Sequence, residues 1–530
     1  MRFLPAGSQA VLVEVGGLDE ALALFASLRD EPVPGVVELV PAARTVLVRF
    51  DPAVIDPAHL VAEIRGRPLV PERVLRDDVV EIPVHYDGED LVEVARHLGV
   101  TEDDVIRKHT RSTWTVAFIG FSPGFAYLAG SDPSLDVPRR AVPRHTVPAG
   151  SVGLAGRYSG VYPRSSPGGW QLIGRTDVRM WDLGRAEPAL VRPGMRVRFV
   201  DAGDAEQACP PGQESRPAQH GDLNRLTRHD LGLDVLATGP LAVLEDLSRP
   251  GLLAMGVSGS GAMDRGALGR ANRLVGNPHG AAALELSGGG VRLRARGDLV
   301  LALAGAPAPL SVHTSDGSFD VSPERPFALD DGEELVVGAP SRGAVSYLGV
   351  RGRIAREHVL GSVSTDLLSG IGAPLRPGDF LPVASGPGSA VDPGGVPLPP
   401  LPSADDVVEV DVILGPRADW FTATALEVFT TQEWSVTPRS NRVGLRLAGD
   451  VPLERTVHRE LPSEGTLRGA LQVPPNGQPV LFTADHPVTG GYPVIGYVAQ
   501  RHLDLVSQAP VGCRLRFRPV PSPFGPGELQ

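Results

Sequence analysis

A chain of 530 residues is too long for one hydrophobic core and divides into roughly three to five domains at about 100–200 residues each. Its net charge of −12 argues against nucleic acid as a partner, because phosphate binding needs a basic face. Lys108 is the only lysine among 50 basic residues, which excludes a phosphate-loop lysine in the G-x-x-x-x-G-K-[ST] context and a Schiff-base lysine at any other position.

The 63 glycines and 52 prolines favour many short strands joined by tight turns, so a mainly β protein is expected. Residues 10–15, 36–40 and 44–50 alternate as strands. Leu18, Ala21, Leu22, Phe25 and Leu28 recur at helical spacing, and Asp56-Pro57 caps a second helix. These elements predict a small α+β domain over 1–78. A second unit, 79–205, opens with strand 79–84 and helix 90–98, stopped by Gly99. A second helix follows behind a capping box of Thr101 and Asp104, and strand 194–199 closes the unit. Residues 206–232 read as a polar linker and 385–405 as a Pro/Gly linker, leaving two β-rich units at 233–384 and 406–530. Cys209 and Cys513 make neither a metal-ligand spacing nor a disulfide framework, and no H-E-x-x-H, C-x-x-C or His cluster exists, so no metal is expected. The longest apolar run, 299–304, is too short to span a bilayer and the start lacks an apolar signal core. A soluble, cytoplasmic protein is expected.

Three echoes link the second unit to the last. Val147-Pro148-Ala149-Gly150 matches Val473-Pro474-Pro475-Asn476-Gly477, Gly168-Gly169-Trp170 matches Gly490-Gly491-Tyr492, and the segments 194–199 and 512–517 both read as Gly, variable, Arg, apolar, Arg, Phe. Their shared order predicts one barrel-like unit used at least twice.

Chemistry concentrates in the loops of these units. Glycines let a ligand approach bare backbone, prolines stiffen the loops, and arginine offers a planar fork for a carboxylate or phosphate. Arg139, Arg140 and Arg144 stand between prolines, with His145 beside them. Gly256 to Asp264 fits no nucleophile elbow; it either presents N–H groups at the start of a helix over 265–274 or is a tight turn capped by Asp264. In the last unit Arg439, Arg442, Glu464, Asp485 and His486 gather on loops, where the carboxylates either handle protons or pair with the arginines.

The pattern G-F-x-P-G-F-x-Y-L at 120–128, the paired P-R steps, V-P-A-G-S-V at 147–152 and S-P-G-G-W at 166–170 resemble one half of the KipI/KipA family, also called allophanate hydrolase subunits 1 and 2. Ser260-Gly261-Ala262-Met263-Asp264, Ala271 to Asn277, Gly361 to Thr365 and Thr489 to Pro493 resemble the other half. The resemblance implies cyclophilin-like β-barrels at 79–205, 233–384 and 406–530, and a fusion of the B and C components of an ATP-dependent 5-oxoprolinase. Such components act with a separate A component of LamB/YcsF type on a small anionic amide. It also implies two alternatives, a carboxyltransferase module of a urea or amide carboxylase and a sensor-kinase inhibitor or antagonist. ATP is then expected to bind to the complex. No biotin attachment site is expected, since Lys108 lies between Arg107 and His109 rather than between methionines. Under this reading His145, Asp264, Glu464 and Asp485 are candidate catalytic residues. Substrate contacts are expected from Arg139, Arg144, Gly150, Ser151, Tyr162, Ser166, Gly168, Gly169, Ser260, Met263, Asn272, Arg439, Arg442, Gly490, Gly491 and Tyr492. Three segments depart from the family pattern: 245–249 reads Glu-Asp-Leu-Ser-Arg for Q-D-x-G-R, 440–444 carries Asn441 for an aspartate, and 486–489 reads His-Pro-Val-Thr.

Overall fold

A computed structural model describes residues 1–69, 79–140, 142–205, 231–386, 388–395 and 400–525. The expected boundary near residue 78, the linker 206–230 with Cys209, and parts of the tract 385–405 lie outside the described residues.

The N-terminal domain is a four-stranded antiparallel sheet with two helices on it. Leu18–Asp30 forms the first helix and is buried on two sides, Ala21, Leu24, Phe25 and Leu28 in the domain's own core and Leu18 and Leu22 against the first barrel. Asp56 caps Pro57–Arg65 by accepting the His59 N–H at 3.0 Å. One edge strand, Arg2–Pro5, was not legible in the sequence, since four residues ending in proline carry little alternation.

The second and last units are the same barrel built twice. In the first, the strand order is Gln171–Arg175, Ser151–Ala155, Tyr158–Val161, Ala126–Gly130, Trp114–Ile119, Arg196–Asp201 and Val79–Val84, and a His85–Arg175 bridge joins the two edges. In the last it is Val494–Val498, Ala470–Gln472, Val480–Phe482, Gly444–Ala448, Trp434–Val436, Arg514–Pro519 and Val407–Leu414, closed. Each barrel pairs its first and final strands in parallel. Each also ties a helix to the wall by a tryptophan: Trp114 Nε1 donates to His109 O at 3.0 Å and Trp434 Nε1 to Phe429 O at 3.1 Å.

The mainly β, barrel-bearing fold is as expected, and two of the three sequence echoes mark equivalent places. The first does not. Val147 to Gly150 leads into strand Ser151–Ala155, whereas 473–477 follows the equivalent strand Ala470–Gln472. The counterpart of Gly150 is Gly469, both left-handed at φ 82 and 90. Pro/Gly turns resemble one another wherever they occur, so composition aligned the wrong pair.

The unit between the barrels, expected as a barrel of its own, is built from two sheets of seven and five strands around one apolar core that includes Leu293, Leu301, Leu335 and Leu348. Helix Arg265–Leu274 packs on strands Leu299–Gly305 and Val345–Val350 of the smaller sheet. No helix among the described residues is long and apolar enough to cross a membrane.

Candidate functional site

Each barrel holds a buried charge at the same backbone position. In the first, Gly88 N and Asp90 N donate to Ile173 O and Leu172 O at 3.3 and 2.9 Å; in the last, Gly415 N and Arg417 N donate to Ile495 O and Val494 O at 2.8 and 3.2 Å. Asp90 and Arg417 are therefore counterparts of opposite sign. Arg144, paired across a short ribbon with Gly168, likewise corresponds to Glu464, paired with Gly490.

Around Asp90, Arg140 Nη1 donates at 2.6 Å, Arg144 Nη1 and Nη2 both at 2.9 Å, and the Leu172 N–H at 2.7 Å. Burial pushes the Asp90 carboxyl up, but the Arg144 hydrogen bonds and the Leu172 N–H outweigh it and hold it below the usual range. Around Arg417, Nε lies 3.0 Å from both Glu464 oxygens and Nη2 bonds Glu464 and, at 2.9 Å, Glu14. Burial pushes the Glu464 carboxyl up against this pairing.

The two mouths meet. The Tyr127 hydroxyl of the first barrel lies beside Ser463 of the last, Gly120 of the first packs so closely on the last that a Cβ there would stand 1.8 Å from Thr489 Oγ1, and Ser463 O accepts the Ala43 N–H of the N-terminal domain at 3.2 Å. Tyr127 stacks on Phe118 at 4.3 Å and meets Trp170 edge-on at 5.3 Å. Tyr162 lies in the same aromatic cluster, with burial pushing its hydroxyl up to about 12. A Cβ on Gly168 would stand 2.2 Å from the Tyr162 hydroxyl, so only glycine fits there.

Next to Ser463 lies a cavity of about 100 Å³ between the N-terminal domain, which lines it with Glu14, Arg44 and Thr45, and the last barrel, which lines it with Arg417, Trp420 and residues 459–464. Several polar groups around this face are uncommitted. Arg44, Arg139 and Arg459 are exposed and make no ion pair among the described residues, although the Arg459 guanidinium lies over the Trp420 ring at 5.7 Å. The Thr45 and Ser166 hydroxyls, Gln171 Oε1 and Arg140 Nε are buried without hydrogen-bond partners. Buried polar atoms are rarely left so, and those at ligand sites are satisfied when the ligand arrives. Guanidinium forks, hydroxyls and a carboxylate with a raised pKa can together hold an anion and exchange a proton with a neighbouring amide.

A second polar centre is closed to solvent. Arg442 Nε and Nη2 donate to Asp485 at 3.0 and 2.9 Å, Nη1 pairs with Glu285, and Nη2 lies 3.2 Å from Glu245. Ser260, left-handed at φ 47, donates to Asp485 at 2.6 Å. Met263 N donates to Glu285 at 3.0 Å, and the Tyr347 hydroxyl donates to it at 2.6 Å. Burial, opposed by Arg442, pushes Glu245 well above the carboxylate range, and neither of its oxygens has a hydrogen-bond partner. Glu245 and Asp485 come from the sandwich and the last barrel, so this cluster joins the two.

The expected site residues thus separate into groups. Arg139, Arg144, Tyr162, Ser166, Gly168 and Glu464 gather at or beside the inter-barrel face. Gly169 supports it, its carbonyl accepting the Arg140 N–H at 2.8 Å. Gly150 and Ser151 form the turn behind it, where a Cβ on Gly150 would meet Thr176 O at 2.4 Å. Gly490 abuts Gln472, Gly491 packs under Leu461 O, and Tyr492 is 45% exposed on the rim. His145 is exposed beside Arg144, with no carboxylate partner among the described residues. Ser260, Met263, Arg442 and Asp485 sit in the closed cluster. Asp264 caps helix Arg265–Leu274 through Ala267 N at 2.8 Å and accepts from Gln508 at 2.8 Å, so both its oxygens are in use. Asn272 bonds Ala281 O at 2.6 Å within the sandwich, and Arg439 is exposed and unpaired among the described residues. Sequence reasoning missed Glu14, Arg44, Asp90, Tyr127, Arg417 and Ser463. Asp90 was legible only as a helix start and Tyr127 only as a member of the 120–128 motif, while Glu14, Arg44, Arg417 and Ser463 carry no local motif. Among the described residues no group of His, Cys, Asp and Glu could hold a metal ion.

Residues 1–191 match the carboxyltransferase domain, subdomain C and D, and residues 255–519 match the carboxyltransferase domain, subdomain A and B. The chain is 37% identical over 202 residues to the 5-oxoprolinase B component of Bacillus subtilis, covering 35% of this chain and 83% of that protein. It is 34% identical over 289 residues to the 5-oxoprolinase C component of Escherichia coli K12, covering 54% and 90%. Against the B component of Escherichia coli O157:H7 the match is 52% over 124 residues, 23% of this chain and 57% of that protein. The crystal structure of TTHA0988 superposes with a TM-score of 0.82 at 35% identity, over 96% of this chain and 99% of that one.

Proposed function

Because the chain belongs to the carboxyltransferase-domain family, with the C/D and A/B halves of KipI/KipA type fused in one polypeptide, we propose that it supplies both the B and the C parts of an ATP-dependent 5-oxoprolinase. In this reading it opens the cyclic amide of 5-oxoproline to glutamate together with a separate A component. The observation that carries the reading is the opposite polarity of the two barrel mouths, whose barrels touch at Gly120 and Thr489 with Tyr127 of one beside Ser463 of the other. Arg139 and its neighbours on the first mouth hold the substrate carboxylate. Ser166 and the Arg140 Nε–H are the uncommitted donors for a developing oxyanion. On the last mouth Glu464 and Glu460 face the ring nitrogen; water adds to the ring carbonyl, the C–N bond breaks, and the nitrogen leaves as the ammonium of glutamate with both protons of that water, one of them relayed by Glu464, whose carboxyl is raised by burial. Asp90 and Arg417 act as positioning residues that fix these groups. ATP is the co-substrate of the complex; this chain's residues bind and orient the amide.

The test is ADP release dependent on 5-oxoproline, with the purified A component present. The proposal expects turnover that Arg139→Ala lowers at least about 10-fold through KM, since a charge-assisted contact is worth about 1.5–3 kcal/mol. A flat trace at high enzyme concentration removes the proposal. Carboxylation of a urea-like amide by carboxybiotin in the same preparation would instead favour the carboxyltransferase reading that the family's domain description supports.

A further inference from the structure

A second cavity, of about 160 Å³, lies where the N-terminal domain, the sandwich and the last barrel meet, and it shares no lining residue with the one beside Ser463. Its charged walls are Arg49 and Glu38 from the first, Arg265 from the second, and Arg468 and Asp504 from the third. We propose that this cavity binds a small oxyanion, a carboxylate or a phosphate, on the Arg265 guanidinium.

Every other charge in the cavity is already engaged. Glu38 takes Arg49 at 2.8 Å and the Gly251 N–H at 2.6 Å. Asp504 accepts the backbone N–H groups of Arg265 and Gly266 at 3.2 and 3.0 Å, so the start of that helix is filled by the protein's own carboxylate. Arg468 turns to Met263 O, Ala262 O and the Ser507 hydroxyl. The Arg265 guanidinium alone has no hydrogen-bond partner among the described residues, and its Nε is buried.

Three guanidiniums against two carboxylates leave the cavity net positive. His486, on the same wall, is held neutral by burial and does not change that balance at neutral pH. Burial, then the neighbouring Arg468, pushes Arg265 down to about 10, which still leaves it charged at neutral pH. A half-buried guanidinium whose Nε is enclosed and whose fork has no protein partner among the described residues is matched by two oxygens of one anion. The volume holds only a few heavy atoms, which favours a simple ion over a nucleotide. Because the walls come from three units, a bound ion ties them together and raises the unfolding midpoint.

The experiment titrates the full chain with inorganic phosphate and, separately, with acetate. It follows the thermal midpoint against sodium chloride of equal ionic strength, with calorimetry on the wild type as a direct readout. A saturable rise with either ion, one site by calorimetry, and at least about 10-fold weaker binding in Arg265→Gln support the proposal. Phosphate alone, acetate alone or both identify the source. Arg265→Lys keeps the charge without the fork, serves should Arg265→Gln not fold, and is expected to bind at least about 3-fold more weakly than wild type. No heat and no midpoint shift beyond chloride in the wild type, or an unchanged titration in either folded variant, overturns it.

Discussion

The two barrels share a strand order, a parallel closing pair and a tryptophan brace, yet their mouths are electrostatic opposites. The first sets one carboxylate, Asp90, between Arg140 and Arg144; the last sets one guanidinium, Arg417, between Glu464 and Glu14. The scaffold fixes where a buried charge stands, and the side chain decides its sign. A duplicated fold can in this way offer unlike ends to one asymmetric ligand, which two identical mouths could not.

The largest effect is expected where charge is most deeply enclosed. Arg442→Met leaves Glu245, Glu285 and Asp485 without their cation and should lower stability by on the order of 5 kcal/mol in urea unfolding. Next come the paired barrel positions. Arg417→Gln strands the buried Glu464 and should cost about 3–4 kcal/mol. Asp90→Asn should cost about 2–3, because Arg140 and Arg144 are partly exposed and water can solvate them. Equal losses at both positions would remove the asymmetry.

Acid sensitivity separates the barrels as well. His109 of the first stands where Phe429 stands in the last, each stacked on the phenylalanine of the closing strand. Burial holds His109 down to about 3, so it is neutral in the folded protein and protonates on unfolding. Its contribution is present above the unfolded value near 6.5 and is lost as pH falls from there towards 3, at up to about 1.4 kcal/mol per pH unit. His109→Phe should flatten that slope while losing the bonds to Tyr86 and Ser159. Asp90, with its lowered pKa, adds a separate loss only below about pH 4, as pH falls through its folded value. Stability measured in both proteins from pH 7 to pH 4 distinguishes the two groups. The smallest effect is expected for Tyr127→Phe, which removes the hydroxyl beside Ser463 and should cost at most about 1 kcal/mol with the aromatic packing intact.

What the sequence disclosed depended on range. Caps acting within a few residues were readable: Asp56 on its helix, the reciprocal bonds of Thr101 and Asp104, and Asp264 as one of two readings. The glycine positions of the ribbons were readable too, because Tyr162 and Gln472 leave no room for a side chain. Partnerships across hundreds of residues were not. Nothing local to Arg417 announces Glu14, and nothing near Tyr127 announces Ser463. Arginines that looked free beside prolines, Arg140 and Arg144, prove to be committed to Asp90, while Arg44 and Arg459, without ion pairs among the described residues, stand in stretches without a motif.

The central claim, that the two mouths form one site for a small anionic amide, is tested most directly by a crystal structure of the chain with its A component and 5-oxoproline. The account predicts the ligand between the barrels, its carboxylate at Arg139 and its ring nitrogen towards Glu464. A ligand seated on one barrel away from Tyr127 and Ser463, or held by the A component alone, would contradict it.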